Sequence, residues 1–82
     1  MVISEFGPAF EKRFRKIKDN SLKDRLKKHI AKIIDAPEIG KPMMYNRKGT
    51  RELYVPPFRI SYIYSKEDDR IILLDFYHKD DQ

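Results

Sequence analysis

The hydrophobic residues of this chain change period once, and that change constrains the fold more than any other feature. In the first half, Phe10, Phe14 and Ile17 fall at i, i+4 and i+7, the stripe of a short amphipathic helix. Leu22, Leu26, Ile30, Ile33 and Ile34 repeat the pattern in a second helix. Beyond residue 50 the apolar residues gather instead in short runs rich in aromatic and β-branched side chains, which suit a pleated sheet. Both helical stripes then have to be buried against that sheet.

Gly, Pro and Asp punctuate the chain and set the boundaries. Val2 to Phe6 reads as a short strand closed by Gly7-Pro8. Proline suits the first helical turn, where its missing N–H has no partner to lose, so the first helix is expected from Pro8 to about Lys18. Asp19-Asn20 breaks it. Ser21 opens the second helix, with Asp24 three residues later in a near capping box, and Pro37 ends it. Asp35 to Thr50, with Pro37, Gly40, Pro42 and Gly49, reads as a connecting segment. Three extended runs follow, Arg51 to Val55, Phe58 to Ser65 and Arg70 to His78, separated by Pro56-Pro57 and the turn Lys66-Glu67-Asp68-Asp69. Ile71 to Leu74 is apolar on both faces, as in a central strand. The expected architecture is a single α+β domain over residues 1–82, in the order β-α-α-β-β-β. A helical hairpin covers one face of a small, mostly antiparallel sheet, and the other face is left open for a site.

At 82 residues, with no cysteine, stability has to come from apolar packing without disulfides or a thiolate metal site. No apolar run approaches the roughly 20 residues that span a bilayer and none reads as a signal peptide, so a soluble, cytoplasmic protein is expected, with no membrane partner. Charge is uneven. Ten basic and three acidic residues lie between Glu11 and Lys32, and four basic and no acidic ones between Lys41 and Arg51. From Lys66 to the end, six acids face three bases. Two readings stand: Lys and Arg that simply solvate two short amphipathic helices, or a surface field that attracts a polyanion such as nucleic acid. No metal-ligand spacing and no phosphate-cradling glycine loop is present, so no metal and no cofactor is expected. His29, beside the apolar stripe, and Met43-Met44 read as packing or surface residues rather than as chemistry.

The element order, with GKPM at Gly40 to Met43, RELYVPPFRISYIY at Arg51 to Tyr64 and LLDFYHKDD at Leu73 to Asp81, resembles the RelE/ParE superfamily of toxins from bacterial and archaeal type II toxin–antitoxin systems. The resemblance spans nearly the whole chain. It implies a RelE-like mRNA interferase, an endoribonuclease that cuts messenger RNA in the ribosomal A site without a metal and so inhibits translation. It also implies a cognate antitoxin as partner, in a toxin–antitoxin hetero-oligomer. The chemistry is attack by a ribose 2′-hydroxyl on its neighbouring phosphate, which needs a base, an acid and positive charge for the transition state.

On that resemblance Arg59, in the pair Phe58-Arg59, is the candidate ligand of the scissile phosphate; the bland alternative is an Arg paired with a carboxylate across the sheet. The end of the last strand supplies His78 as general acid, or Lys79 if the alignment moves by one residue. Glu52 stands where relatives carry a basic residue, as a base or as the carboxylate that holds Arg59. Tyr54 and Tyr77 could stack on RNA bases, and Arg47, Lys48 and Arg51 could supply RNA-binding charge. The family's terminal aromatic falls at Gln82. Two further readings therefore stand beside the nuclease: a ParE-like inhibitor of DNA gyrase, and a catalytically inactive RelE-fold binding module.

Overall fold

The computed structural model describes residues 3–43 and 49–78. Strand β1 (Ile3–Phe6) leads into helices α1 (Pro8–Lys16) and α2 (Asn20–Asp35). A turn of 3₁₀ helix (Pro37–Ile39) then precedes strands β2 (Lys41–Pro42), β3 (Thr50–Val55), β4 (Phe58–Ser65) and β5 (Arg70–His78). The five strands form one sheet in the order β1-β5-β4-β3-β2. β1 runs parallel to β5, and the remaining pairs are antiparallel. The α+β class and the sequential order are as expected. The short β2, pairing Lys41 with Glu52 and Pro42 with Arg51, extends the sheet where a loop was expected.

The helix boundaries follow from their caps. Pro8 occupies the first turn of α1 and Ile17 closes it, its N–H bonding the Phe14 carbonyl, so the helix stops two residues before Lys18. α2 is capped by Asp19, not Ser21. The Asp19 carboxylate accepts from the backbone N–H groups of Ser21 at 2.9 Å and Leu22 at 3.3 Å and satisfies donors that the first turn leaves without helical partners.

Both helices bury their stripes on one sheet face. Phe10, Leu26, Ile30 and Ile33 meet Val55, Ile60, Tyr62, Ile71, Leu73 and Phe76 in a single cluster. Phe10 lies at its centre, with the rings of Phe6, Phe14 and Phe76 at 5.6, 6.1 and 5.1 Å. Burial of one such side chain is worth about 1.5–3 kcal/mol. Two polar pins complete this side. Tyr62 Oη donates to the Pro37 carbonyl at 2.7 Å and accepts from the Gly40 N–H at 2.9 Å. A Cβ at position 40 would stand 2.5 Å from that hydroxyl, so only glycine allows the approach. Arg25 Nη1, from α2, donates to the Pro56 carbonyl at 2.6 Å and ties the helix to the β3–β4 turn, whose Pro56-Pro57 peptide is cis.

The register of β5 slips once. Tyr62 pairs with Leu73 and Ser61 with Asp75, so Leu74 is an extra residue, a β-bulge. Core positions therefore run Ile71 and Leu73 before the bulge and Phe76 after it, and residues beyond the bulge point opposite to where strict alternation would send them.

Candidate nucleic-acid interface

The sheet face away from the helices carries a polar and aromatic cluster built from the three longest strands. Tyr54, Arg59 and Tyr77 stand side by side in register on β3, β4 and β5, with Glu52 opposite Ser61 one step along. Side chains of directly paired residues share a face, and the contacts bear this out. Arg59 Nη1 donates to Glu52 Oε1 at 2.7 Å. The Tyr77 hydroxyl donates to the other oxygen of the same carboxylate, Glu52 Oε2. The Arg59 guanidinium lies over the Tyr54 ring, 5.7 Å from its centroid.

Burial within the cluster is graded. The Glu52 side chain is 13% exposed, the Arg59 side chain 37%, and Tyr54 is 47% exposed at the rim. The hydrogen bond to Glu52 is the main cause that raises the Arg59 pKa above its ordinary value, so the guanidinium stays charged at any accessible pH. Its Nε is buried with no hydrogen-bond partner among the described residues.

Not every expected site residue joins this cluster. The bulge turns His78 to the helix side, where it pairs with Phe58, the two rings edge to face at 5.6 Å. There His78 borders a shallow cleft with Arg13, Lys16, Ile17, Phe58 and Phe76. His78 and Arg59 therefore sit on opposite faces of the sheet, not side by side. Arg51 also points away from the cluster. It pairs with Tyr62 on the helix side, and its Nη1 donates to the carbonyls of Glu38 at 3.1 Å and Gly40 at 2.8 Å, a structural pin rather than free charge. Arg47, Lys48, Lys79 and Met44 lie outside the described residues. His29 Nδ1 contacts the Arg25 carbonyl at 2.8 Å on its own helix, and half-buried Met43 donates its N–H to the Thr50 carbonyl.

Strict period-2 reading misses the division between Tyr77 and His78, yet one residue carries the clue. Alternation from Ile71 and Leu73 would put Asp75 in the core and Phe76 in water. A bulge between Leu73 and Phe76 returns Phe76 to the core and leaves Asp75 part-exposed, paired with Arg13 Nε of α1 at 2.8 Å. Among the described residues no group of three or more His, Asp or Glu side chains converges on a point that could hold a metal ion.

The five-stranded mixed sheet with its parallel outer strand and two helices on one face is the fold of RelE-type toxin structures. The RelBE toxin–antitoxin complex of Escherichia coli contains a chain that superposes with a TM-score of 0.80 at 15% identity, over 95% of this chain and 96% of that one. The RelBE2 complex of Mycobacterium tuberculosis gives 0.80 at 18% identity, over 95% and 98%. The isolated RelE toxin of Escherichia coli gives 0.79 at 16%, over 95% and 84%. No curated protein sequence matches. The description of the family whose model matches residues 5–82 is the ParE toxin of the parDE type II toxin–antitoxin system. The chain belongs to that family, within the RelE/ParE toxin superfamily, and is the toxin component of a type II toxin–antitoxin system.

Proposed function

We propose that this toxin acts on RNA, as a metal-independent, ribosome-dependent mRNA endonuclease that inhibits translation. The observation that carries the reading is Arg59, a permanent cation centred on the uncovered sheet face between two tyrosines. A guanidinium there binds a phosphodiester and balances the negative charge that grows when a 2′-hydroxyl attacks phosphorus. The tyrosine rings offer stacking surfaces that accept any base. Proton transfer has two sources in this arrangement. Tyr77 and Glu52, hydrogen-bonded to each other beside Arg59, are the near pair. His78, with Lys79 next in sequence, reaches the scissile bond only around the end of β5.

The cytoplasm, where translating ribosomes lie, is the compartment this activity requires. An antitoxin partner in a hetero-oligomer is supported by the RelBE complexes of similar fold, and the basic helices and the uncovered sheet face are the surfaces on which it docks in this reading. Incubation with translating ribosomes, followed by primer extension along the message, is expected to reveal new 5′ ends, and Arg59→Ala to abolish them together with growth arrest. Unchanged cutting by Arg59→Ala would sink the assignment.

A second reading has its own support. The matching family model is that of ParE, and His78 lies on the opposite sheet face from Arg59. A gyrase inhibitor would leave transcripts whole and block supercoiling of relaxed plasmid by purified gyrase, so the two assays separate the readings.

A further inference from the structure

We infer that the Glu52 carboxylate occupies the place of a bound phosphate, so that the chain carries an internal competitor for its own RNA site. The inference rests on the reading of Arg59 as a phosphate ligand and adds how that ligand is controlled. Two donors from neighbouring strands, Arg59 Nη1 and Tyr77 Oη, converge on the two oxygens of one anion. A guanidinium and a phenol hold the non-bridging oxygens of a phosphodiester in the same way, through charge-assisted hydrogen bonds. The carboxylate is the deeper partner, with Arg59 and the Tyr54 ring above it toward solvent. An incoming nucleotide meets the cation and the stacking surface first and the competing anion behind them.

A purely structural ion pair accounts less well for the geometry. Structural arginines spend their donors, and the planar fork is suited to two parallel bonds. Glu52 engages Nη1, while Nε is buried without a partner among the described residues. A phosphate has more acceptor oxygens than a carboxylate, and it can engage donors that Glu52 leaves unspent. RNA binding then becomes an exchange of one anion for another at Arg59, and Glu52 lowers the affinity of the resting toxin.

The test measures binding rather than cleavage. A single-stranded oligoribonucleotide with 2′-deoxy substitution, which cannot be cut, is titrated by fluorescence anisotropy over a series of salt concentrations. The proteins compared are wild type, Glu52→Gln, Arg59→Ala and the double variant. Glu52→Gln keeps an acceptor for either donor while removing the charge; Glu52→Ala, checked by its melting curve, serves as a second variant. Expected is binding roughly 3- to 5-fold tighter in Glu52→Gln, the scale of one partly exposed charge interaction. The salt slope steepens by about 0.7 as one more phosphate is neutralised, which a merely structural change would not produce. In the Arg59→Ala background, Glu52→Gln has no effect. If Arg59→Ala binds as well as wild type, Arg59 is no phosphate ligand and both readings fall. If Arg59→Ala weakens binding but neither Glu52 variant tightens it, the internal competitor falls and the proposed function stands.

Discussion

The two faces of this sheet are built from the same three strands and solve opposite problems. On the helix side Val55, Ile60, Tyr62, Ile71 and Leu73 are fully buried, and the polar groups beside them are held: the Tyr62 hydroxyl both donates and accepts, and Arg51 holds two carbonyls. On the uncovered side, a carboxylate, a guanidinium and two tyrosines hold one another, with one buried donor left over. The first face makes the fold; the second is the one on which the proposed RNA site lies. Stability and function should therefore separate by face, and substitutions can break that separation.

Phe10→Ala should have the largest effect. It opens a hole among three aromatic rings and is expected to cost about 3–5 kcal/mol, read from urea denaturation; a loss under about 1 kcal/mol would mean the helix face is not the stabilising one. Next come the polar pins of the same face. Tyr62→Phe removes the partner of the Gly40 N–H and the Pro37 carbonyl, at about 1–3 kcal/mol. Gly40→Ala drives a methyl group into the Tyr62 hydroxyl and is expected to cost a similar amount, about 1–3 kcal/mol.

The Tyr62 substitution also has a pH signature. Burial pushes the Tyr62 phenol up, so the native state keeps its proton where the unfolded chain, with a phenol near pH 10, begins to lose it. The contribution is whole below that pH and is lost as pH rises through it. Denaturation midpoints should fall more steeply above about pH 10 in wild type than in Tyr62→Phe; parallel curves would remove Tyr62 as the cause.

Asp19→Ala, away from both faces, should cost about 1 kcal/mol through loss of the α2 cap, seen as a lower melting temperature. The smallest stability effect belongs to the uncovered face: Tyr54→Ala is expected to stay within about 0.5 kcal/mol of wild type in the same melt. Yet it should weaken RNA binding, and a large loss of stability there would erase the contrast between the faces.

How much of this is legible in the sequence depends on periodicity. The stripes of Phe10 and Phe14 and of Leu26, Ile30 and Ile33 give both helices, and the aromatic runs give β3, β4 and β5, because burial on one side imposes a repeat. The pairing of Arg59 with Glu52 was among the expected alternatives. β2 escapes because two residues, one of them Pro42, carry no repeat. The α2 cap is displaced because Asp19 and Ser21 are both good caps, and only the path of the chain decides which carboxylate or hydroxyl meets the free N–H groups. The separation of His78 from Arg59 turns on the single inserted residue Leu74, hidden in an apolar run whose neighbours suit either face. Asp75 is its only mark in the sequence.

The parallel outer strand has a consequence for the order of folding. Ile3 pairs with Arg70 and Phe6 with Leu73, so β1 meets its partner only across nearly the full length of the chain. Closing so long a loop is slow, and it cannot begin before β5 has been made. The uncovered face takes Tyr77 from that same strand, so it is complete only once β5 has paired with β4.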